Sequence, residues 1–174
     1  MKKFLLRLLL NEHERYLLNK IAPQLLFLNY IFQRIFKNSS DFLYSVHFSS
    51  KVVGYKNFII DGNKDSILTS LAVSGGCYIH VADGSTLEIG ENTIWAFGVC
   101  IQTADHDLID RNKYIVKSVK IGKNCWLANN VTIVAGVELG DNVTVGANSV
   151  VTKSFPGDVV IGGCPAKILK YVKQ

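Results

Sequence analysis

The chain has no C-x-x-C pair, and its four cysteines, Cys77, Cys100, Cys125 and Cys164, stand apart. A disulfide framework is therefore not expected, and reduced thiols are. No stretch reaches the roughly 18 uninterrupted apolar residues of a membrane-spanning helix. The opening ten residues imitate a signal peptide, but Arg7 breaks the apolar run and Asn11-Glu12-His13-Glu14-Arg15 ends it without a small-residue cleavage site. The expected compartment is the cytoplasm, with peripheral contact to the inner face of the membrane as an added reading. Charged residues are sparse at 19% against 48% hydrophobic, which excludes a disordered chain and fits one well-filled globular core. The net charge of +5 gathers towards the two ends, but no basic–aromatic stacking pattern or known module accompanies it, so nucleic acid is not an expected partner.

Two periods divide what is there. Up to about residue 38 the apolar residues fall at helical spacing: Phe4, Leu8 and Leu9, then Leu17, Leu18 and Ile21, and after Pro23 Leu25, Leu26, Leu28, Ile31, Phe32, Ile35 and Phe36. The spacing predicts two amphipathic helices broken near Pro23, which cap the next element, pack at a subunit contact or lie on a membrane surface.

From residue 53 a six-residue period takes over. In the units 89–94, 121–126, 127–132, 133–138, 139–144 and 145–150 an aliphatic residue opens, a small one usually follows, Asn or Gly tends to stand fourth, and a small or β-branched residue stands fifth. One short strand and one tight turn use about six residues, and each coil can bury its apolar edge only against its neighbours. The first position should form an internal ladder, the fourth the corners, and the fifth should point inward. Val53, Ile59, Leu71, Cys77, Ile89, Trp95 and Ile101 share this phase, although Asp65 and Asp83 interrupt it.

Residues 121–151, followed by Thr152-Lys153 and Gly163-Cys164-Pro165-Ala166-Lys167, resemble the hexapeptide-repeat acyltransferases, and within them the sugar and polysaccharide O-acetyltransferases of the galactoside and maltose type. The likeness covers about residues 47–170. It implies a mainly β fold, a left-handed parallel β-helix, assembled as a homotrimer with active sites between subunits. The expected organisation is an N-terminal helical segment (1–46), the β-helix (47–166) with a protruding loop (102–120), and a C-terminal tail (167–174).

That loop is the one long break in the period, and breaks in a solenoid emerge as surface loops. It holds a single histidine, His106, between Asp105 and Asp107. A sugar hydroxyl is a weak nucleophile at neutral pH, so transfer of an acetyl group gains from a base that titrates near pH 7. The resemblance implies that role for His106. It also implies acetyl-CoA as co-substrate and no metal, with Trp126, Ala128, Asn129, Ala147, Thr152, Lys153, Lys167 and Lys170 at cofactor positions. Small side chains would admit the pantetheine arm, and the lysines would meet phosphate as point charges. Tyr78, His80 and Asp83 are the acceptor-binding candidates. An asparagine of galactoside-type relatives is missing from residues 74–83, which points away from a simple galactoside, while the basic amphipathic start and the resemblance to polysaccharide acetyltransferases imply a capsule or lipopolysaccharide sugar, including a lipid-linked one.

Three alternatives stand beside this reading. The same base would serve N-acylation of an amino sugar. A γ-type carbonic anhydrase shares the solenoid but needs three histidines on zinc, and here only His80 and His106 lie in the repeats. A non-catalytic scaffold would keep the repeats without needing the histidine loop.

Overall fold

Asn92, Asn124, Asn130, Asn142 and Asn148, the fourth residues of their units, hold φ between 54° and 60°, and Gly136 takes the same role at 84°. These are left-handed corners, which Asn and Gly reach at least steric cost. The fifth residues Thr93, Cys125, Val131, Val137, Val143 and Ser149 are at most 1% exposed. Repeating corner and inward residue wraps the chain into a three-sided prism of parallel strands. The structure is a computed structural model and describes residues 15–172.

The first coil contains β1 (Lys51–Val53) and β2 (Phe58–Asp61), and a helix stands on its third side. The second holds β3 (Tyr78–His80), β4 (Leu87–Gly90) and β5 (Ile94–Trp95), and the third starts with β6 (Cys100–Gln102). The chain then leaves the prism as an antiparallel hairpin, β7 (Ala104–His106) and β8 (Tyr114–Val116), and re-enters at β9 (Val119–Ile121) and β10 (Trp126–Leu127). β11 (Thr132–Ile133), β12 (Glu138–Leu139) and β13 (Thr144–Val145) make the next coil, and β14 (Val150–Val151) and β15 (Val159–Gly162) belong to the last. The first face is β1-β3-β6-β11-β14, the second β2-β4-β9-β12 and the third β5-β10-β13-β15, all in parallel register. Residues 167–171, expected as tail, instead form β16 (Lys167–Tyr171), which turns back antiparallel on β15.

Each face buries one ladder: Val52, Ile79, Ile101, Ile133 and Val151 on the first, Trp95, Leu127, Val145 and Ile161 on the third. The second position is small because the coils nearly touch there. A Cβ added to Gly90 would lie 2.7 Å from the Gly122 carbonyl carbon, and one added to Gly122 would lie 2.6 Å from that of Gly140.

The early coils depart from the expected phase. Val53 is half-buried and Ile59 is 46% exposed, because Val52, Phe58 and Ile60 take the inward places instead. Leu71 is not on a strand. It belongs to α2 (Asp65–Val73), whose Ile67, Leu68, Leu71 and Ala72 plug the third side of the first coil. Leu71 and Cys77 are six apart because a buried helix position is followed by a short turn, a count that matches two hexapeptide openings by spacing alone.

Before the prism, α1 (Pro23–Tyr30) starts with Pro23 in its first turn, where a missing N–H costs nothing, and runs on as a π-helical turn, Ile31–Ile35. Leu17, Leu18, Ile21 and Leu26 join the core, while Phe4, Leu8 and Leu9 lie outside the described residues. The expected apolar face is buried only in part: Leu17, Leu18, Ile21 and Leu26 are inside, and Leu25, Ile31 and Phe32 are half-buried. Leu28, Ile35 and Phe36 are exposed, and Asn29 and Gln33 are buried. Both amides serve backbone rather than apolar contact: Asn29 Nδ2 donates to the Ala72 carbonyl, and Gln33 Nε2 donates to the carbonyls of Ser39, Phe42 and Tyr44. Losing either would strand buried carbonyls, a penalty of about 1–3 kcal/mol for each.

Candidate functional site

The hairpin leaves at the corner between the first and second faces. Thr103, fully buried, anchors it: its N–H donates to the His80 carbonyl, and its hydroxyl takes hydrogen bonds from the Ala82 N–H and the Ser85 hydroxyl. Lys117 N–H closes the base on the Thr103 carbonyl. At the tip, Asp107 Oδ1 accepts the N–H groups of Ile109 and Asp110, which holds its carboxyl below the ordinary carboxylate range.

His106 ends β7 and faces solvent. Its Nδ1 lies 2.8 Å from the Arg111 carbonyl oxygen, and its ring packs on Tyr114 with centroids 4.5 Å apart. A carbonyl can only accept, so Nδ1 carries the proton and Nε2 presents its lone pair outward. Neither flanking aspartate does this work: Asp105 accepts from Gln102 Nε2 at 3.1 Å, and Asp107 is spent on the turn. A depression of about 430 Å³ beside the ring is lined by Asp105, Arg111, Ile115, Lys117 and Ala135.

The acceptor candidates lie below the hairpin. Tyr78 and His80 share the outward side of β3, with ring centroids 6.2 Å apart, and His80 is in register with Gln102. Asp83 stands on the turn after β3, at the hairpin's own corner, but lines a different cavity. The cofactor candidates divide between two edges. Trp126 is on the outward side of β10, while buried Ala128 and exposed Asn129 form the corner between the third and first faces. Ala147 is one coil above them, joined through the Asn148 N–H to Asn129 carbonyl bond. Lys167 and Lys170 lie exposed on β16 at the end of the third face. Thr152 and Lys153 follow β14 at the hairpin's corner, with Lys153 Nζ 5.6 Å above the Phe155 ring. The whole first face separates Trp126, Ala128, Asn129 and Ala147 from His106 within one chain.

Residues 118–153 match the family model described as bacterial transferase hexapeptide (six repeats). A Dictyostelium discoideum protein that carries the provisional name of an acetyltransferase is 34% identical over 153 residues, covering 79% of this chain and 78% of that one. The chain belongs to the hexapeptide-repeat acyltransferase family. Its coil is accordingly the left-handed parallel β-helix, an exception to the right-handed crossover rule. A hexapeptide-repeat acetyltransferase of Vibrio cholerae solved with acetyl coenzyme A superposes with a TM-score of 0.58 at 27% identity, over 99% of this chain and 84% of that chain. A provisionally named lipopolysaccharide biosynthesis O-acetyl transferase of Escherichia coli (strain K12) is 37% identical over 106 residues, 53% of this chain and 54% of that one. The chain spans about half the length of the Escherichia coli relatives it matches.

Spacing singled out the hexapeptide-repeat histidine but not its supports. Tyr114 and the Arg111 carbonyl reach His106 only because the hairpin pairs His106 with Tyr114. The turn-prone Asp110-Arg111-Asn112 was the signal present in the sequence. Among the described residues no group of three His, Cys, Asp or Glu side chains gathers as metal ligands within the chain.

Proposed function

We propose that the protein is an acetyl-CoA-dependent O-acetyltransferase acting on a sugar or surface-polysaccharide hydroxyl, by direct transfer in a ternary complex with His106 as base. The observation that carries this reading is the Nδ1 hydrogen bond to the Arg111 carbonyl, which leaves Nε2 as the free acceptor. Nε2 takes the proton of the acceptor hydroxyl as its oxygen attacks the thioester carbonyl. The C–S bond then breaks, and the imidazolium returns the proton to the departing thiolate. Arg111 and Lys117 beside the ring add positive potential where negative charge develops.

The first face between His106 and the Trp126 edge supports an assembly in which a neighbouring copy, in a homotrimer, brings the cofactor edge to the histidine. In that arrangement the pantetheine arm lies along Trp126, Ala128, Asn129 and Ala147, with Thr152, Lys153, Lys167 and Lys170 towards the phosphates, and Tyr78 and His80 towards the acceptor. Relatives named for lipopolysaccharide and colanic acid biosynthesis favour a cell-surface sugar as acceptor. No helix of the described residues is long and apolar enough to cross a membrane, and the exposed Phe27, Leu28, Ile35 and Phe36 are the feature that supports peripheral contact with one. The same chemistry on an amino sugar remains the second reading, since the free Nε2 serves an amine equally.

Acetyl-CoA with a panel of sugars and polysaccharide fragments tests the proposal by release of free thiol. Acceptor-dependent release is expected, reduced about 10²- to 10⁴-fold in His106→Ala with folding intact. Unchanged release in that variant would sink the base assignment.

A further inference from the structure

A second cavity, also of about 430 Å³, opens two coils below the hairpin on the same corner. Lys37, Lys51 and Lys56 line it, together with Asp41, Tyr55 and Asp83. Among the described residues none of the three lysines makes an ion pair, although Asp41 and Asp83 share the lining with them. Three ammonium groups against two carboxylates leave this concavity net positive, a charge that an anion complements.

The wall is built rather than loose. Gln33, turned inward by the π-helical turn, ties the carbonyls of Ser39, Phe42 and Tyr44, and Asn38 Nδ2 ties those of Phe48 and Ser50. Ser39 Oγ accepts the Val52 N–H at 2.8 Å, fixing the loop to β1. Lys37, at φ 56°, is the left-handed residue that ends the helix, with the Asn38 N–H on the Phe32 carbonyl, and Ser39 follows at φ 58°.

The cavity also connects with the hairpin. Gly54, at φ 77°, packs against the Val81 carbonyl so closely that a Cβ would collide with it, and Val81 leads into Ala82, whose N–H the Thr103 hydroxyl accepts at the root of the hairpin. Two parallel-strand steps, roughly 10 Å, separate β1 from β6. A ligand of two or more sugar units can span both places.

We propose that this cavity is a subsite for the phosphate of a glycosyl phosphate, with Lys37, Lys51 and Lys56 on the phosphate and Asp41, Asp83 and Tyr55 on sugar hydroxyls. That the bound molecule is the acetyl acceptor rests on the function proposed above; the preference for phosphate does not.

Isothermal titration of the full chain with glucose 1-phosphate, inorganic phosphate and glucose reads the subsite directly. Glucose 1-phosphate is expected to bind at least about tenfold tighter than glucose, as charge-assisted contacts do. The triple variant Lys37→Asn, Lys51→Gln, Lys56→Gln, all exposed positions, loses that preference at a melting temperature no lower than the wild type's, and His106→Ala keeps it. Equal affinity for glucose and glucose 1-phosphate in the wild type overturns the proposal, as does a preference that survives the triple variant. Sedimentation with phosphatidylcholine vesicles carrying phosphatidic acid separates the sources of phosphate. Binding lost in the triple variant places it on a lipid, and absence of binding beside a positive titration places it on a soluble sugar. A positive titration without thiol release would reject acetyl transfer and leave the subsite standing.

Discussion

The coils above the hairpin and those below it are made from one repeat but bear different loads. From β9 to β15 one coil follows another with Asn or Gly at most corners, glycines in near contact and an aliphatic ladder closed to solvent. From β1 to β6 the turns swell, a helix replaces a strand, and the chain then leaves the prism altogether as the hairpin. Regularity in the upper coils supplies stability, and irregularity in the lower ones supplies concave, polar surface. Both cavities lie at the corner where the hairpin departs.

Single substitutions can break that contrast. Ile133→Ala, at the centre of the first face between Ile101 and Val151, is expected to cost about 2–5 kcal/mol, while Ile59→Ala in the first coil stays within about 0.5 kcal/mol. Denaturant unfolding of the pair decides it, and equal losses would show that the early coils are as tightly built as the late ones.

Corners give a subtler probe. Asn124→Ala should destabilise by about 1–2 kcal/mol, since alanine gains nothing from a left-handed corner. Lys37→Gly should do the reverse and raise stability by up to about 1 kcal/mol, because a lysine at φ 56° carries strain that glycine relieves. A gain at Lys37 accompanied by weaker glucose 1-phosphate binding would mark strain kept for function rather than for folding.

The smallest effect is expected at the hairpin tip. The Asp107 carboxyl is depressed below its ordinary 3.8 by two backbone N–H groups, so its contribution is complete above that value and is lost as pH falls through the lower native one. Amide resonances of Ile109 and Asp110 should move in that acid window while the prism stays folded, and Asp107→Asn should abolish the transition.

The upper coils were legible because their residues answer to one rule: Ile121, Leu127, Ile133, Leu139 and Val145 recur every six places, and the corner asparagines fall between them. Leu71 and Cys77 obeyed the same count for another reason, a buried helix face followed by a turn. The helix before the prism misled in the opposite sense, since Asn29 and Gln33 look like surface residues until the carbonyls they satisfy are known. His106 stood out as a candidate by its place in the long break between repeats together with the family resemblance. Its Arg111 partner is a backbone carbonyl, which no pattern of side chains announces, and the lysine cavity joins residues 37, 51 and 56 only once the prism exists.

A stack of parallel coils has no natural last layer, because its top rung offers the same unused N–H and C=O groups that every lower rung fills with the next one. Left open, such a surface would recruit other copies end to end into filaments. β16 answers this on the third face by reversing direction over β15 and presenting Lys167 and Lys170 outward, so that a parallel newcomer finds the wrong polarity and a row of like charge. The strand that carries two of the proposed phosphate contacts thus also ends growth, and shortening the chain before it would be paid for in solubility.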